Sequence, residues 1–212
     1  AEILSIGHEL LMGEIVDTNS AYLAAQLPQL GIHSRWISTV GDDMEQLTES
    51  LHRAWERSPI TLTTGGLGPT MDDLTREAIA RVFGEKLYVD NALKNDLEAQ
   101  LQLRGIRLSA SNLRQATRIS SAIALPNTEG TAPGWWVERD NHILIALPGP
   151  PRELEAMWER QVVPRLRDIS TGTVISTRTL KTFGLSEAII DEMVAPIAAT
   201  GNPYMGIYAK PD

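Results

Sequence analysis

The stretch Thr64-Gly-Gly-Leu-Gly-Pro-Thr-Met-Asp-Asp-Leu-Thr75 places three glycines and two aspartates in one short segment. It follows an apolar run, Ile60 to Leu62, and precedes a helix-like pattern from Leu74 to Phe83. We therefore predict a strand, a glycine loop and a helix, in that order. Glycines let the backbone approach a ligand closely, and a helix N-terminus carries a partial positive charge, so the expected ligand is an anion.

The two aspartates of this segment favour a more specific chemistry. Asp72 and Asp73 would repel a phosphate unless a cation lies between them or one of them acts as a base. The pattern thus predicts metal-assisted chemistry on a phosphate ester. The alternative is that one aspartate caps the following helix and the glycines only form a turn, because Asp is a favoured N-cap residue. Neither the Walker pattern nor Gly-x-Gly-x-x-Gly is present.

Strand and helix patterns alternate along the first part of the chain. Predicted strands at Glu2 to Ile6, His33 to Val40 and Ile60 to Thr64 are separated by amphipathic helical patterns. This alternation predicts an α/β fold with three layers, in which a mostly parallel sheet carries helices on both faces. Ligands of such sheets bind beyond the carboxyl ends of the strands. The three loops expected there all contain acidic residues: Glu9, Asp42, Asp43, Asp72 and Asp73.

The domain organisation follows from length and pattern. A chain of 212 residues is long enough for one domain of ordinary size and a small appendage. We predict a domain over residues 1–168 and a small α+β segment over residues 169–212. The segment is expected to form a strand from Val174 to Phe183, a helix from Ser186 to Ala199 and a strand from Tyr204 to Ala209. Such a partial βαβ unit is too small to bury a core alone.

Composition excludes several classes of protein. The formal net charge of −8 argues against a nonspecific nucleic-acid binder, whose affinity depends on clustered Lys and Arg. The absence of cysteine excludes disulfides and thiolate chemistry, and it suits a reducing cytoplasm. No secretory signal pattern is present, and no apolar run approaches the roughly 20 residues that span a bilayer. We therefore expect a cytoplasmic protein with neither a nucleic-acid nor a membrane partner.

Five ordered motifs resemble the N-terminal part of the competence/damage-inducible protein family, CinA. They are the glycine loop, Ile6 to Ser20, Thr39 to Asp43, Asn127 to Gly134 and Leu147 to Pro151. The resemblance implies the molybdopterin-binding fold, which is shared with molybdopterin adenylyltransferases and gephyrin-like proteins. It also implies an ADP-ribose pyrophosphatase that depends on a divalent metal ion, Mg²⁺, Mn²⁺ or Co²⁺, and yields AMP and ribose 5-phosphate.

The same resemblance implies partners for the chain. Its small-molecule partner is a nucleotide diphosphate, and we expect a homo-oligomer, specifically a dimer. Proteins of the family continue with a nicotinamide-nucleotide amidase domain, of which nothing is present here. The end at Lys210-Pro-Asp212 therefore suggests a truncated or incompletely covered protein.

Catalytic and metal-binding roles are also implied by the resemblance. Two functional aspartates of the related adenylyltransferases match Asp42 and Asp73, which we take as the catalytic residues. The expected metal ligands are Glu9, Asp72 and Asp73. For Glu9, which lies in the matching pattern Gly-x-Glu-Leu-Leu, the alternative is a structural hydrogen bond. Asp43 is expected to begin the helix that follows it.

The remaining motif residues are expected to bind the substrate. Arg114 stands where the family usually has Lys, and its planar guanidinium suits bidentate contact with phosphate. His8 stands where the family more often has Thr. For Asn19 the alternative is a helix cap, and for the Gly and Pro residues it is turn chemistry. The predicted substrate-binding residues are Asn19, Gly65, Gly66, Leu67, Gly68, Thr70, Asn112, Arg114, Gln115, Gly130, Thr131, Pro148 and Gly149.

Two other functions compete with the pyrophosphatase. One is adenylyl transfer to molybdopterin, which is disfavoured because Leu67 interrupts the Gly-Gly-Thr-Gly loop typical of those proteins and Asp72 stands where they commonly have Arg. The other is a regulatory module that binds a nucleotide without turnover. Metal-dependent release of AMP from ADP-ribose separates the pyrophosphatase from both.

Overall fold

A computed structural model describes residues 1–169, 176 and 178–208 of the chain. The chain divides into two compact units, Ala1–Ser176 and Thr177–Asp212. The first unit contains every residue predicted to bind a ligand, so it is considered in more detail.

A six-stranded sheet forms the centre of the first unit, with the strand order β2-β1-β3-β8-β7-β6. Strands β2, β1, β3 and β8 are parallel, whereas β7 is antiparallel to both β8 and β6. A separate antiparallel pair is formed by β4 and β5. The strands are β1 Glu2–Ile6, β2 Trp36–Val40, β3 Ile60–Thr64, β4 Tyr88–Val89, β5 Thr117–Arg118, β6 Ala122–Leu125, β7 Gly134–Arg139 and β8 His142–Leu147.

Helices connect these strands, and short 3-10 segments at Leu27–Leu30 and Arg114–Ala116 supplement them. A π-helical segment, Trp158–Val162, joins two helices near the end of the first unit. The helices are α1 His8–Leu11, α2 Thr18–Gln26, α3 Met44–Arg57, α4 Thr75–Phe83, α5 Asn91–Leu103, α6 Ala110–Leu113, α7 Pro151–Met157, α8 Val163–Ile169 and, in the second unit, α9 Glu187–Ala198.

Both faces of the sheet are buried, as the continuous apolar runs of its central strands require. Side chains on one face, such as Leu144, pack with residues of α3 and α4. Side chains on the other face, such as Ile145, pack with residues of α2 and α7. The neighbouring Trp135 and Trp136 follow the same alternation and are buried on opposite faces. The prediction of a mostly parallel sheet with helices on both faces is confirmed.

Element boundaries differ from the predicted ones in one strand of this sheet. Strand β2 begins at Trp36, whereas the apolar pattern predicted a start at His33. The backbone at this point pairs with the start of the chain instead: the Ala1 amino group donates to the His33 carbonyl, and the Arg35 N–H donates to the Ala1 carbonyl. These bonds join Ala1, the first residue, to His33 and Arg35, just before the regular pairing of β1 with β2 begins.

The second unit contains the predicted helix, found as α9. The predicted strand from Val174 to Phe183 lies partly outside the described residues, and its described part, 176 and 178–183, is not a strand. The described part of the second predicted strand, 204–208, is not a strand either. The prediction of these strands was wrong there. Phe183 and Tyr204 are largely exposed, and an isolated strand pair without a buried face is marginal.

Across the described residues, the structure contains no helix with both the length and the apolar character needed to cross a membrane.

We predict that Ile145→Ala, on the central strand β8, lowers the free energy of unfolding by about 3 kcal/mol, because it removes a fully buried side chain and leaves a cavity. Ile123→Ala is the matched control, since Ile123 lies on edge strand β6 with 56% of its surface exposed, and a loss under about 1 kcal/mol is expected. Urea unfolding followed by circular dichroism measures both. Equal losses would contradict the assignment of β8 to the core.

Candidate functional site

The candidate residues follow the carboxyl ends of three adjacent parallel strands. Strand β1 leads to His8 and Glu9, β2 leads to Asp42, and β3 leads to the glycine loop, residues 65–74. Because these strands are parallel neighbours, their following loops start at one edge of the sheet.

Asp73 is bound by the backbone of the glycine loop. Its Oδ1 accepts the Gly68 N–H at 2.7 Å, and its Oδ2 accepts both the Thr70 N–H at 2.7 Å and the Thr70 hydroxyl. A β-carbon at Gly68 would collide with this carboxylate, so glycine leaves the room that the contact needs. The donors of Gly68 and Thr70 expected to contact a ligand thus bind Asp73 in this structure.

The N–H groups at the start of the loop differ in their hydrogen bonding. The Gly65 N–H donates to the Leu147 carbonyl at 3.0 Å, which extends the β3–β8 pairing into the loop. Among the described residues, no acceptor bonds the N–H groups of Gly66 and Leu67. Successive backbone N–H groups of this kind form a concavity that favours an anion.

Gly66 is required by the packing of the loop itself. Its φ of 67° lies in the left-handed region, and a β-carbon there would collide with the Thr75 hydroxyl. That hydroxyl donates to the Gly65 carbonyl at 2.8 Å, and the Thr75 N–H donates to the Gly66 carbonyl at 3.1 Å. Thr75, the first residue of α4, therefore holds the start of the loop through two hydrogen bonds. The sequence pattern did not predict this role for Thr75.

Arg114 holds the glycine loop from a distant part of the sequence. Its Nη2 donates to the Asp73 carbonyl and to Glu77 Oε1, both at 2.8 Å, and its Nη1 donates to the Thr70 carbonyl. The planar guanidinium therefore bridges two loop carbonyls and a carboxylate. A direct phosphate contact by Arg114 would require some of these bonds to be exchanged, and it stays a prediction.

Asp42 and His8 form a reciprocal pair between two loops. The His8 N–H donates to Asp42 Oδ2 at 2.9 Å, and the Asp42 N–H donates to His8 Nδ1 at 3.2 Å. Since Nδ1 accepts a hydrogen bond, the neutral ring carries its proton on Nε2. Nearby, the Glu9 carboxylate lies against Gly7, where a β-carbon would be 2.6 Å from Oε1. The next residue, Asp43, caps α3 by accepting the N–H groups of Glu45 and Gln46, as predicted.

The Asp17-Thr-Asn-Ser20 motif serves two purposes. Asp17 caps α2 by accepting the Ser20 N–H at 2.9 Å, and it also accepts the Ser5 hydroxyl at 2.6 Å. Burial alone would raise the pKa of Asp17, but these hydrogen bonds outweigh it and the pKa lies below its usual range. Asn19 Nδ2 donates to Thr64 Oγ1 and to the Gly149 carbonyl, both at 2.7 Å, so Asn19 joins the start of α2 to the end of β3 and to the loop after β8. Its Oδ1 is buried and has no partner within the described residues.

Other predicted binding residues have structural contacts. Asn112 forms a capping box with Ser109 at the start of α6, and Gln115 is buried. The Pro148 carbonyl accepts the Thr64 hydroxyl at 3.3 Å. Thr131 is partly buried in the loop that follows Gly130.

A buried carboxamide and a carboxylate that sequence reasoning missed shape the Gly130 loop. Asn127 Oδ1 accepts the Gly130 N–H at 2.9 Å, and Asn127 Nδ2 donates to Glu153 Oε2 at 2.7 Å. A β-carbon at Gly130 would overlap the Glu153 carboxylate. Only the position of Asn127 at the start of its motif pointed to this role.

Comparison with known proteins identifies the family. A family described as "Probable molybdopterin binding domain" matches residues 2–168, and one described as "Damage-inducible protein CinA KH domain" matches residues 177–212. The crystal structure of a CinA protein of unknown function from Thermoplasma acidophilum superposes with a TM-score of 0.72 at 30% identity, covering 77% of this chain and 96% of that one. This chain belongs to the CinA family.

Curated relatives extend the CinA assignment to the whole chain. A CinA-like protein of Thermomicrobium roseum is 48% identical over 212 residues, which are 100% of this chain and 52% of the relative. A putative competence-damage inducible protein of Caldicellulosiruptor saccharolyticus is 41% identical over 212 residues, 100% of this chain and 51% of the relative. The chain thus spans about half the length of the curated CinA relatives it matches.

The CinA fold is also found in molybdopterin biosynthesis. A molybdopterin biosynthesis protein from Mycobacterium abscessus has a TM-score of 0.51 at 14% identity, covering 79% of this chain and 92% of that one. At this identity the likeness shows a shared fold and nothing about activity.

For this CinA chain we predict that Gly66→Val lowers the free energy of unfolding by about 3 kcal/mol, because valine opposes a positive φ and its side chain collides with Thr75. Gly84→Val is the control: Gly84 has a similar φ of 65° but no atom within 4 Å of its β-carbon position. Thermal unfolding should therefore show a smaller loss for Gly84→Val. Equal losses would mean that the contact with Thr75 contributes nothing beyond backbone strain.

Proposed function

We propose that this chain hydrolyses the pyrophosphate of ADP-ribose to AMP and ribose 5-phosphate with the help of a divalent metal ion. The observation that supports the proposal is the position of Asp73 at the carboxyl ends of parallel strands: its carboxylate accepts the Gly68 N–H, and the two residues before Gly68 have N–H groups without acceptors among the described residues. A diphosphate ester has oxygens that accept hydrogen bonds beside the phosphorus atom that water attacks.

The chain's own residues account for three requirements of this hydrolysis. The N–H groups of Gly66 and Leu67 would donate to non-bridging oxygens and stabilise their negative charge. Asp42 Oδ1 accepts no hydrogen bond from the described residues, so it would orient the attacking water and receive its proton. Asp73, fixed by three donors, would maintain the loop geometry in which these groups meet.

The acidic residues of the loops fit a hard divalent cation, because carboxylate oxygen is the ligand that Mg²⁺ and Mn²⁺ prefer. Among the described residues, no three His, Asp or Glu side chains are grouped as a complete metal site. A site with fewer than three grouped carboxylates suits Mg²⁺, because that ion is usually held by one or two carboxylates together with substrate phosphates. The predicted ligands Glu9, Asp72 and Asp73 are not grouped around one point, so one or two of these carboxylates would hold the ion together with the substrate phosphates. The Thr70 hydroxyl lowers the pKa of the exposed Asp72, which favours the ionised form that a metal needs. The bound ion would neutralise charge on the diphosphate.

The proposed activity is tested by incubating the purified chain with ADP-ribose and each of Mg²⁺, Mn²⁺ and Co²⁺, and measuring AMP and ribose 5-phosphate by anion-exchange chromatography. Equal amounts of the two products and their loss with EDTA are expected. Binding of ADP-ribose without release of AMP under all three metals would reject the hydrolase and favour a regulatory nucleotide-binding module. In a parallel incubation with ATP and molybdopterin in place of ADP-ribose, transfer of AMP to molybdopterin would favour adenylyl transfer.

We predict that Asp42→Asn and Asp73→Asn each reduce kcat/KM for ADP-ribose by at least about 100-fold, because an amide is neither a base nor an anionic ligand. Asp73→Asn should also loosen the loop, since an amide offers one acceptor oxygen to three donors. Asp43→Asn makes the same chemical change next to Asp42, and its activity should stay near wild type because Asn caps helices as well as Asp does. Near wild-type rates for Asp42→Asn or Asp73→Asn would reject their roles.

We further predict that a chain ending at Ile169 retains ADP-ribose hydrolysis, within about threefold of the whole chain in kcat/KM, since every residue of the proposed site precedes that position. The family match to residues 2–168 supports this boundary. Circular dichroism would first establish that the shortened chain is folded. A folded but inactive chain would show that the second unit contributes to the site.

The expected dimer, the cytoplasmic location and the partnership with an amidase domain stay predictions. Apolar side chains exposed after α1, including Met12 and Val16, are consistent with a contact between copies. Sedimentation equilibrium would measure the oligomeric state.

A further inference from the structure

Arg76 is a buried cation that the proposed reaction does not use directly. It is the second residue of α4, only 1% of its surface is exposed, and no carboxylate of the described residues lies within salt-bridge distance of its guanidinium. The position of Arg76 is unfavourable in free energy for two reasons. Burial removes the charge of the guanidinium from water, and this cation lies at the positive end of the helix dipole. An arginine kept in such a position calls for a compensating interaction.

The groups that accept hydrogen bonds from Arg76 are backbone carbonyls of the glycine loop, and the negative charges of Glu77 and Asp73 also favour its charged form. Its Nη2 donates to the Leu67 carbonyl, and its Nη1 donates to the Gly68 carbonyl at 3.3 Å, while Nε is buried and has no partner among the described residues. Carbonyl dipoles reduce the cost of burial but do not cancel a full charge. Burial lowers the pKa of Arg76 to about 10, so the group remains a cation at neutral pH.

The contact with Leu67 also fixes the direction of an N–H group. In a planar trans peptide the carbonyl and the N–H point in opposite directions. Because the Leu67 carbonyl points to Arg76, the Gly68 N–H of the same peptide points away from it, and there it meets Asp73 Oδ1 at 2.7 Å. One peptide group thus connects the buried guanidinium to the Asp73 carboxylate.

We propose that Arg76 is a positioning residue of the diphosphate site: its contact with the Leu67–Gly68 peptide places a positive charge beneath the glycine loop, and this charge increases the loop's affinity for an anion. The inference rests on the proposed location of the diphosphate at this loop. It assigns the affinity to a side chain that never touches the ligand. Arg114 also donates hydrogen bonds to carbonyls of this loop, but it differs from Arg76 in forming an ion pair with Glu77.

The alternative role for Arg76 is purely structural, in which the two hydrogen bonds hold the loop and the charge is incidental. Lysine separates the two roles, because it keeps the charge but lacks the planar fork that reaches two carbonyls. Glutamine can still donate hydrogen bonds but has no charge. The matched control is Arg81→Gln, which makes the same change on the exposed face of the same helix.

The test measures the dissociation constant of ADP, a diphosphate that is not the proposed substrate, by isothermal titration calorimetry with the whole chain and its three variants. We expect Arg76→Gln to weaken ADP binding by at least about tenfold, Arg76→Lys by less than about threefold, and Arg81→Gln not at all. Similar losses of ADP affinity for Arg76→Lys and Arg76→Gln would overturn the proposal in favour of the purely structural role. Unchanged ADP binding in Arg76→Gln would also overturn the proposal.

Three further outcomes remain decisive. If Arg76→Gln does not fold, as judged by circular dichroism, the test depends on Arg76→Lys alone. An ADP affinity reduced by more than about tenfold in the folded Arg76→Lys variant would contradict the role of the charge. Wild-type protein that binds ADP but does not cleave ADP-ribose would reject the proposed function and leave this inference standing. Wild-type protein that does not bind ADP would overturn the inference.

Discussion

The hydrogen bonds between the Asp73 carboxylate and the backbone of the glycine loop are the interaction on which the candidate site depends. They join Asp73 to the N–H groups of Gly68 and Thr70, and they fit only because Gly68 has no side chain in the way. A carboxylate bound by several N–H donors is held in one orientation, and it holds the donors in turn. The loop is therefore already shaped by the protein, and two of its successive N–H groups, at Gly66 and Leu67, have no acceptor among the described residues.

The sheet explains why this loop meets the other acidic loops. Four parallel strands, with both faces covered, direct the segments after β1, β2 and β3 to one edge. Long-range hydrogen bonds then connect the segments at this edge: Asn19 contacts Thr64 and Gly149, and His8 pairs with Asp42. Catalytic groups keep their positions when a packed sheet supports them and hydrogen bonds connect the segments that contain them.

The sequence predicted the layered fold and the location of the site because both depend on local patterns. Apolar runs and helical spacing identify β1, β3 and α3, and Asp43 is recognisable as a cap from its neighbours alone. The partners of polar side chains were not predictable in the same way. Arg114 contacts Thr70 across 44 positions, and Arg76 was hidden because a charged residue on a helix is usually exposed. The resemblance to CinA supplied the motifs, and only the packed structure shows which loop groups already bind each other.

The central claim is that the free N–H groups of the glycine loop bind the diphosphate. Amide chemical shifts of ¹⁵N-labelled protein, titrated with a non-hydrolysable methylene analogue of ADP-ribose, test it most directly. The account predicts saturable shifts at Gly66 and Leu67, with little change on the outer surface of α3 and α4 around His52 and Arg81. Saturable shifts confined to that outer surface, with Gly66 and Leu67 unchanged, would contradict it.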